Sequence, residues 1–195
     1  MIVAQGAEAG GHGEKRATFT LVTEVADLIA TRSPQTLLCA ARGIGAGRGL
    51  AAAIMLGADG VVVASRLWAS NEANVSVRMH AAALSETGDE TIRSQVMDLA
   101  RKLDWPSRFT ARVLKNCFTD HWHGREAELL AVADDEAAKY GKAWSAGDPD
   151  NSNTFVGEVV GLIHEIEPAA RIIERMVHEA AGRLQTGARH FVSQV

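Results

Sequence analysis

Cysteine is scarce in this sequence, which contains Cys39 and Cys117 among its 195 residues. Two cysteines so far apart indicate neither a disulfide framework nor a multi-cysteine zinc site. Cys39 lies within an apolar stretch, and we interpret it as a small buried hydrophobic residue.

Long apolar runs and strongly basic segments are also missing from the sequence. No window reaches the roughly 18 uncharged apolar residues of a membrane span, and the N-terminus has no basic stretch followed by an apolar run. The net charge of −4 and the pI near 6.0 provide no basic field for a nucleic acid. We therefore expect a cytoplasmic protein without a membrane or nucleic-acid partner.

The first 70 residues carry the pattern of parallel βα units. Short apolar runs at 2–4, 36–41 and 60–64 predict strands, each of which ends in glycine or small residues. Between them, the spacing of Leu21, Val25, Leu28 and Ile29 predicts one helix, and an alanine-rich stretch at 48–56 predicts a second.

The pattern changes to mainly helical after about residue 72. We predict helices around Ile92–Leu99, before Cys117 and over 126–140, then an exposed loop at 146–153. The helix expected before Cys117 rests on the spacing of Phe109, Val113 and Leu114. An apolar run at 159–166 is expected to return to the strand-rich part, and a final helix follows Pro168. This pattern divides the chain into residues 1–70, 71–153 and 154–195.

A glycine-rich stretch, AQGAEAGGHG at residues 4–13, follows the first predicted strand. Its glycines, which lack Cβ atoms, let a bulky ligand lie against the backbone. We expect a loop here that carries His12, whose imidazole can accept a proton at neutral pH. Considered alone, the spacing also fits a loop histidine that merely hydrogen-bonds a neighbouring carbonyl group.

Two further motifs follow in order, AARGIGAGRGL at residues 40–50 and LGADGVVVASR at residues 56–66. Together with AQGAEAGGHG, they resemble the signature of the nitronate monooxygenases, formerly 2-nitropropane dioxygenases, which are flavin-dependent (β/α)-barrel enzymes. The stretch from residue 154 to residue 184 resembles the tail of the same family.

This resemblance implies an α/β fold, namely the last three βα units of a (β/α)8 (TIM-type) barrel followed by a helical region. Such a barrel needs at least about 200 residues, whereas the sequence predicts only three strands. Three parallel strands alone leave unpaired edges and an uncovered face. We therefore expect self-association or completion by an amino-terminal half.

The resemblance also implies FMN as cofactor and a reaction of a nitronate or nitroalkane with oxygen that yields a carbonyl compound and nitrite. In the family pattern His12 is the catalytic base, with Gln5, Gly6, Gly10 and Gly11 near the flavin. Small residues after the last two strands expose backbone N–H groups to the phosphate. Gly43, Ala64 and Ser65 fit this role. The resemblance implies that Val62 and Val63, by their position in the family motif, also contribute backbone contacts. A flavin-dependent enoyl-thioester reductase and a non-catalytic barrel remnant are the alternatives.

Several residues depart from the family pattern. Arg42, Ala46, Val62 and the pair Ala64–Ser65 replace residues of the cofactor cradle, and Arg42 either obstructs the phosphate or pairs with it. Glu14 and Glu158 also differ, and a carboxylate beside His12 would oppose an anionic substrate.

Other polar residues rank lower as site candidates. The pair His121 and His123 lacks an obvious third metal ligand. Two further groups are expected to be solvated. One is His164, Glu165 and Glu167, and the other is the charged face formed by Glu174, Arg175, Glu179 and Arg183. The tryptophans, Trp105 among them, are expected to be packing anchors.

Overall fold

The computed structural model of the chain describes residues 1–192. Its strands are β1 (Ile2–Gln5), β2 (Gly11–Gly13), β3 (Leu38–Ala41), β4 (Gly60–Val62), β5 (Thr91–Ser94) and β6 (Thr110–Leu114). Its α-helices are α1 (Thr18–Arg32), α2 (Gly47–Met55), α3 (Ser65–Trp68), α4 (Val77–Ser85), α5 (Val96–Ala100), α6 (Cys117–Trp122), α7 (Glu126–Ala131), α8 (Ala133–Ser145) and α9 (Ala169–Val192). Short 3-10 helices lie at Gly88–Glu90 and Glu158–Leu162.

The described residues divide into two compact units. The first unit contains Met1–Glu8, Lys15–Ala73 and the chain from Glu165 onward, and the second contains Ala9–Glu14 and Asn74–His164. The sequence-based division placed 154–195 in one segment, whereas the structure groups 154–164 with the second unit. The run at 159–166, expected to return to the strand-rich part, is therefore largely in the second unit. There Val159 and Val160 are buried.

In the first unit, β1, β3 and β4 form a parallel sheet in the order β1-β3-β4. The register pairs Gln5 with Ala41 and Ala41 with Val62, so the strands end at the same level. This confirms the α/β class and the parallel βα pattern. The strands β3 and β4 are two residues shorter than predicted, and β1 is one residue longer. Assignment to the last three units of a closed barrel stays a prediction.

The helix α1 packs against this sheet. Its apolar residues recur at helical spacing and therefore lie on one face of the helix. Val22 of α1 is fully buried, and Leu21, Val25 and Ile29 pack against the same core. Ile2 and Val3 of the edge strand β1 remain 44% exposed. Exposed apolar side chains at an outer strand agree with the expectation that this sheet has an uncovered edge.

The long helix α9 packs against α2. Ile172, Met176 and Ala180 are buried at intervals of four residues, which confirms the predicted terminal helix. A Cβ atom on Gly47 would lie 2.5 Å from the Met176 carbonyl oxygen, so only glycine permits this approach of the two helices. Within residues 1–192, no helix is both long and apolar enough to cross a membrane.

In the second unit, β2, β6 and β5 form an antiparallel sheet packed on short helices. The helix predicted before Cys117 is wrong, because Thr110–Leu114 is the strand β6. Ala111 and Val113 are buried on either side of the partly exposed Arg112, which is the two-residue period of a strand. The helix predicted around residues 92–99 is likewise a strand, β5, followed by the short helix α5.

The rest of the second unit follows the sequence pattern more closely. The helix predicted over 126–140 is present as α7 and α8, which meet at Val132. Asn116 and Thr119 form a reciprocal capping box that fixes the start of α6. Leu129 and Tyr140 are buried in the resulting core.

Candidate functional site

His12 lies at the centre of β2, where it pairs with Ala111 of β6. The prediction of a glycine-rich loop at this position is therefore wrong, because main-chain pairing to β6 holds the backbone on both sides of the imidazole. Gly11, immediately before it, has a φ angle of +72°, which favours glycine over other residues. Arg93 of β5 donates to the carbonyl oxygens of Gly11 and Glu14 at 3.5 and 3.4 Å, which further fixes the strand.

The imidazole of His12 contacts a buried carboxylate. His12 Nε2 lies 2.8 Å from Asp98 Oδ2, and Asp98 is 2% exposed. The second oxygen, Oδ1, is buried and has no hydrogen-bond partner within the described part of the chain. A histidine paired with a buried carboxylate is an arrangement typical of general bases.

Asp98 was not identified from the sequence. It is located on α5, 86 residues from His12 along the chain. The available signal was its place among apolar neighbours, Met97 and Leu99, since an aspartate is seldom buried without a partner.

An indole ring covers one face of the imidazole. The rings of His12 and Trp105 stack with centroids 3.8 Å apart and planes inclined by 12°. Phe155 lies 6.5 Å from His12 in a tilted arrangement. Trp105, which the sequence predicts as a packing anchor, packs on His12 and is itself 44% exposed.

The two carboxylates that depart from the family pattern make other contacts. Glu14 Oε1 is 3.4 Å from Arg108 Nε, and Glu158 Oε1 is 2.7 Å from an Arg112 nitrogen. The carboxylate that contacts His12 therefore belongs to Asp98.

Protein atoms occupy the space beside two of the predicted flavin-contacting glycines. A Cβ atom on Gly6 would lie 1.8 Å from Thr18 Oγ1, and one on Gly10 would lie 2.5 Å from the carbonyl carbon of Val156. The chain itself therefore fills the Cβ side of both glycines, and their assignment as flavin contacts stays a prediction.

Other predicted cofactor residues of the first unit lie at the carboxyl ends of the parallel strands. Gln5 ends β1, the pair Arg42–Gly43 follows β3, and Val62 ends β4 at the same level. Gly43 is exposed and has a φ of +69°, and a Cβ atom there would meet Glu8 at 3.4 Å, an ordinary contact distance. An accessible backbone in this conformation is suited to binding an anion through N–H groups.

Arg42 adopts a backbone conformation that is unusual for a residue with a side chain. Its φ is +90°, and its guanidinium Nη2 donates to Gln5 Oε1 at 3.3 Å. Burial lowers the pKa of Arg42. The side chain is directed to the same strand end as Gln5, which brings a positive charge to this edge of the sheet.

The carboxylate of Glu8 closes a turn in the same region. It accepts hydrogen bonds from the Thr18 backbone N–H and from Thr18 Oγ1, the latter at 2.7 Å. These bonds satisfy Glu8 at the start of α1, where the helix dipole also favours a negative charge.

The four residues from 62 to 65 are two exposed residues and two packed ones. Val62 and Ala64 are exposed, whereas Val63 packs against the core and Ser65 is 7% exposed at the start of α3. Of the predicted phosphate residues in this segment, the structure thus leaves two at the surface.

Arg66, the last residue of the third motif, is buried and forms an ion pair with Glu167. Glu167 is 5% exposed, so the prediction of a solvated residue is wrong. Hydrogen bonds from Arg175, which lies 2.5 Å away, hold the pKa of Glu167 below its ordinary value. This network ties the motif to the start of α9.

Glu179 also differs from its predicted place on an exposed face. Its Oε2 accepts a hydrogen bond from the backbone N–H of Gly47 at 2.8 Å. A carboxylate of the chain therefore occupies the N-terminus of α2.

The sequence comparisons agree with the motifs. A sequence model of the nitronate monooxygenase family matches residues 1–179. The chain is 37% identical to nitronate monooxygenase npaC of Metarhizium robertsii over 97% of its own length and 54% of that protein. It is 31% identical to a nitronate monooxygenase of Neurospora crassa over 95% of its own length and 50% of the relative.

A solved structure shows a similar fold. FabK from Thermotoga maritima superposes with a TM-score of 0.80 and 30% sequence identity, over 97% of this chain and 57% of that chain. The chain thus spans about half the length of the proteins that it matches.

Proposed function

The chain belongs to the nitronate monooxygenase family, and from this premise we propose that it serves the FMN-dependent oxidation of alkyl nitronates. The products are a carbonyl compound and nitrite, and molecular oxygen is the oxidant. The observation that carries the proposal is the pairing of His12 with the buried Asp98 at 2.8 Å. This pair provides the proton acceptor that a neutral nitroalkane requires before it becomes a nitronate.

The residues of the first unit fit the phosphate of FMN. Gly43 is exposed with a positive φ, and the guanidinium of Arg42 reaches the same strand end. We assign the phosphate to the backbone at Gly43 and at Ala64–Ser65, and we assign Arg42 as a supplementary cation. When bound, FMN supplies the redox chemistry, since it accepts electrons from the substrate and passes them to oxygen.

His12 acts on the proton that distinguishes a nitroalkane from its nitronate. The bond between the α-carbon and hydrogen breaks, the proton passes to the imidazole, and the electron pair delocalises onto the nitro group. Asp98 stabilises the positive charge that the ring gains. A preformed nitronate already lacks this proton and does not need the step.

Replacing His12 with asparagine tests this role. With FMN present, oxygen consumption with nitroethane should fall by about 10²–10⁴-fold, the usual contribution of a general base. Oxygen consumption with preformed ethyl nitronate should fall much less. Glu14→Gln is the matched control, because Glu14 is near His12 in sequence but pairs with Arg108.

Two results would contradict the proposal. Equal losses with both substrates would show that His12 is not the base. Absence of oxygen consumption by the unmodified chain with FMN and ethyl nitronate would instead favour a non-catalytic role.

A further inference from the structure

We infer that Asp98 is a positioning residue that fixes the tautomer of His12, so that Nε2 carries the hydrogen and Nδ1 is the atom that accepts the substrate proton. The inference rests on the proposed function for the identity of that proton. The tautomer itself is a property of the chain without FMN or substrate.

The first support is the contact between the two side chains. Asp98 Oδ2 is 2.8 Å from His12 Nε2, a normal hydrogen-bond distance. An ionised carboxylate has acceptor atoms only, so Nε2 must supply the hydrogen. A neutral imidazole carries one N–H, and its lone pair is consequently on Nδ1.

The second support is the burial of the carboxylate. Asp98 is 2% exposed, and its Oδ1 has no hydrogen-bond partner among the described residues. Since a buried carboxylate is costly without compensation, the bond to His12 is strongly favoured. The same proximity stabilises the imidazolium formed when Nδ1 takes a proton.

The third support is the fixed orientation of the ring. Trp105 stacks on the imidazole with planes 12° apart, and β2 holds the His12 backbone against β6. These contacts oppose rotation of the ring about its bond to Cβ. The stacked indole thus fixes the orientation of the imidazole ring, and the hydrogen bond to Asp98 fixes which ring nitrogen carries the hydrogen.

Nitrogen-15 NMR of the flavin-free chain measures this tautomer directly. In a sample labelled at the histidine nitrogens and held at about pH 8.5, imidazoles are mostly neutral. The His12 signals are assigned as those lost in His12→Gln. We expect Nε2 to resonate as a protonated nitrogen and Nδ1 as an unprotonated one.

Asp98→Asn provides the variant. The amide NH2 of the asparagine can take the place of Oδ2 and donate to Nε2, and the amide oxygen then takes the place of Oδ1, which has no partner among the described residues. The opposite orientation would leave the two N–H groups of the amide without a partner, so the first orientation is favoured. The Nδ1–H tautomer should therefore predominate. Glu14→Gln is the control and should give the spectrum of the unmodified chain, because its carboxylate contacts Arg108 instead.

The unmodified chain alone decides the main point, even if Asp98→Asn fails to fold. A His12 that is mainly Nδ1–H, or an equal mixture of tautomers, overturns the inference. A folded Asp98→Asn chain with an unchanged His12 tautomer also overturns it.

Activity then connects the tautomer to the reaction. With FMN, Asp98→Asn should lose about 10²–10⁴-fold in turnover of nitroethane and much less with ethyl nitronate. Equal losses with both substrates contradict the assignment of Asp98 to the proton-transfer step. If the expected tautomer is found in a chain that has no activity, the proposed function fails while the assigned tautomer stands.

Discussion

Glu179 accepts a hydrogen bond from the backbone N–H of Gly47 at 2.8 Å and so caps the first turn of α2 from α9. The bond joins two residues that lie 132 positions apart in the sequence. It pairs the positive end of a helix dipole with a carboxylate, which stabilises both partners.

Glu179→Gln should therefore lower the free energy of unfolding by about 0.5–2 kcal/mol, because the amide retains the shape but not the charge. Urea denaturation measures this change. Glu174→Gln, at an exposed position of the same helix, is the control and should stay within about 0.5 kcal/mol. Equal midpoints for the two variants would contradict the capping role.

Glu167, which pairs with the buried Arg66, makes the stability of the fold depend on pH in the acid range. Hydrogen bonds from Arg175 lower the pKa of Glu167 from its ordinary value of about 4.5. The ionised carboxylate therefore stabilises the fold fully at pH values above that ordinary pKa. That stability is lost as the pH falls through the lower pKa of the folded chain. Stability measured by denaturation from pH 7 to pH 3 should decline more steeply in the unmodified chain than in Glu167→Gln.

At neutral pH, Glu167→Gln should lose about 3–5 kcal/mol, since it leaves the buried Arg66 without its negative partner. Glu165→Gln removes a carboxylate that is 62% exposed and 3.4 Å from Arg175, so it should lose less than about 1 kcal/mol. Similar losses of unfolding free energy in the two variants would contradict the larger contribution assigned to the buried Glu167.

Arg42 occupies a backbone conformation that glycine adopts more easily. At its φ of +90°, Arg42→Ala keeps the Cβ strain and loses the contact to Gln5, whereas Arg42→Gly loses both. The glycine variant should be about 1 kcal/mol more stable than the alanine variant. Thermal unfolding of the pair measures this difference, and a more stable alanine variant would contradict the assigned strain.

Trp105 should protect His12 from chemical modification. The His12 side chain is 17% exposed, and the stacked indole covers one of its faces. Trp105→Ala should raise the rate of His12 acylation by diethyl pyrocarbonate several-fold, as followed by peptide mass spectrometry. Trp144→Ala, which removes an equally exposed indole in edge contact with Phe155, should leave the rate unchanged.

An unchanged rate in Trp105→Ala, or an equal increase in both tryptophan variants, would show that the stack does not shield His12.

The local pattern was sufficient to predict the three parallel strands of the first unit and its helices α1, α2 and α9. Its strands are short apolar runs that end in small residues, and α9 repeats Ile172 and Met176 at helical spacing. Each of these signals is contained within one segment of the chain and does not depend on contacts with distant residues. The exposure of Ile2 and Val3 agrees with the expected uncovered strand.

In the second unit, one stretch of sequence fits both a helical and a strand period. Phe109, Val113 and Leu114 satisfied a helical spacing, although Ala111 and Val113 also alternated as in a strand. Pairing with β2 and β5 decided between them, and this pairing joins distant parts of the chain.

Contacts between distant residues also limited the prediction of the site. The motif identified His12, but its carboxylate partner came from Asp98 rather than from the neighbouring Glu14. Likewise, Glu167 and Glu179 resembled surface residues of a charged segment until the fold placed them against Arg66 and Gly47.

Titration with FMN measures whether the chain binds the cofactor on which the proposed function depends. The chain is purified, freed of coloured ligand and titrated with FMN by equilibrium dialysis, with bound flavin measured from its absorbance at about 450 nm. We expect saturable binding of one FMN per chain. Absence of saturable binding by the folded chain would contradict the proposed function.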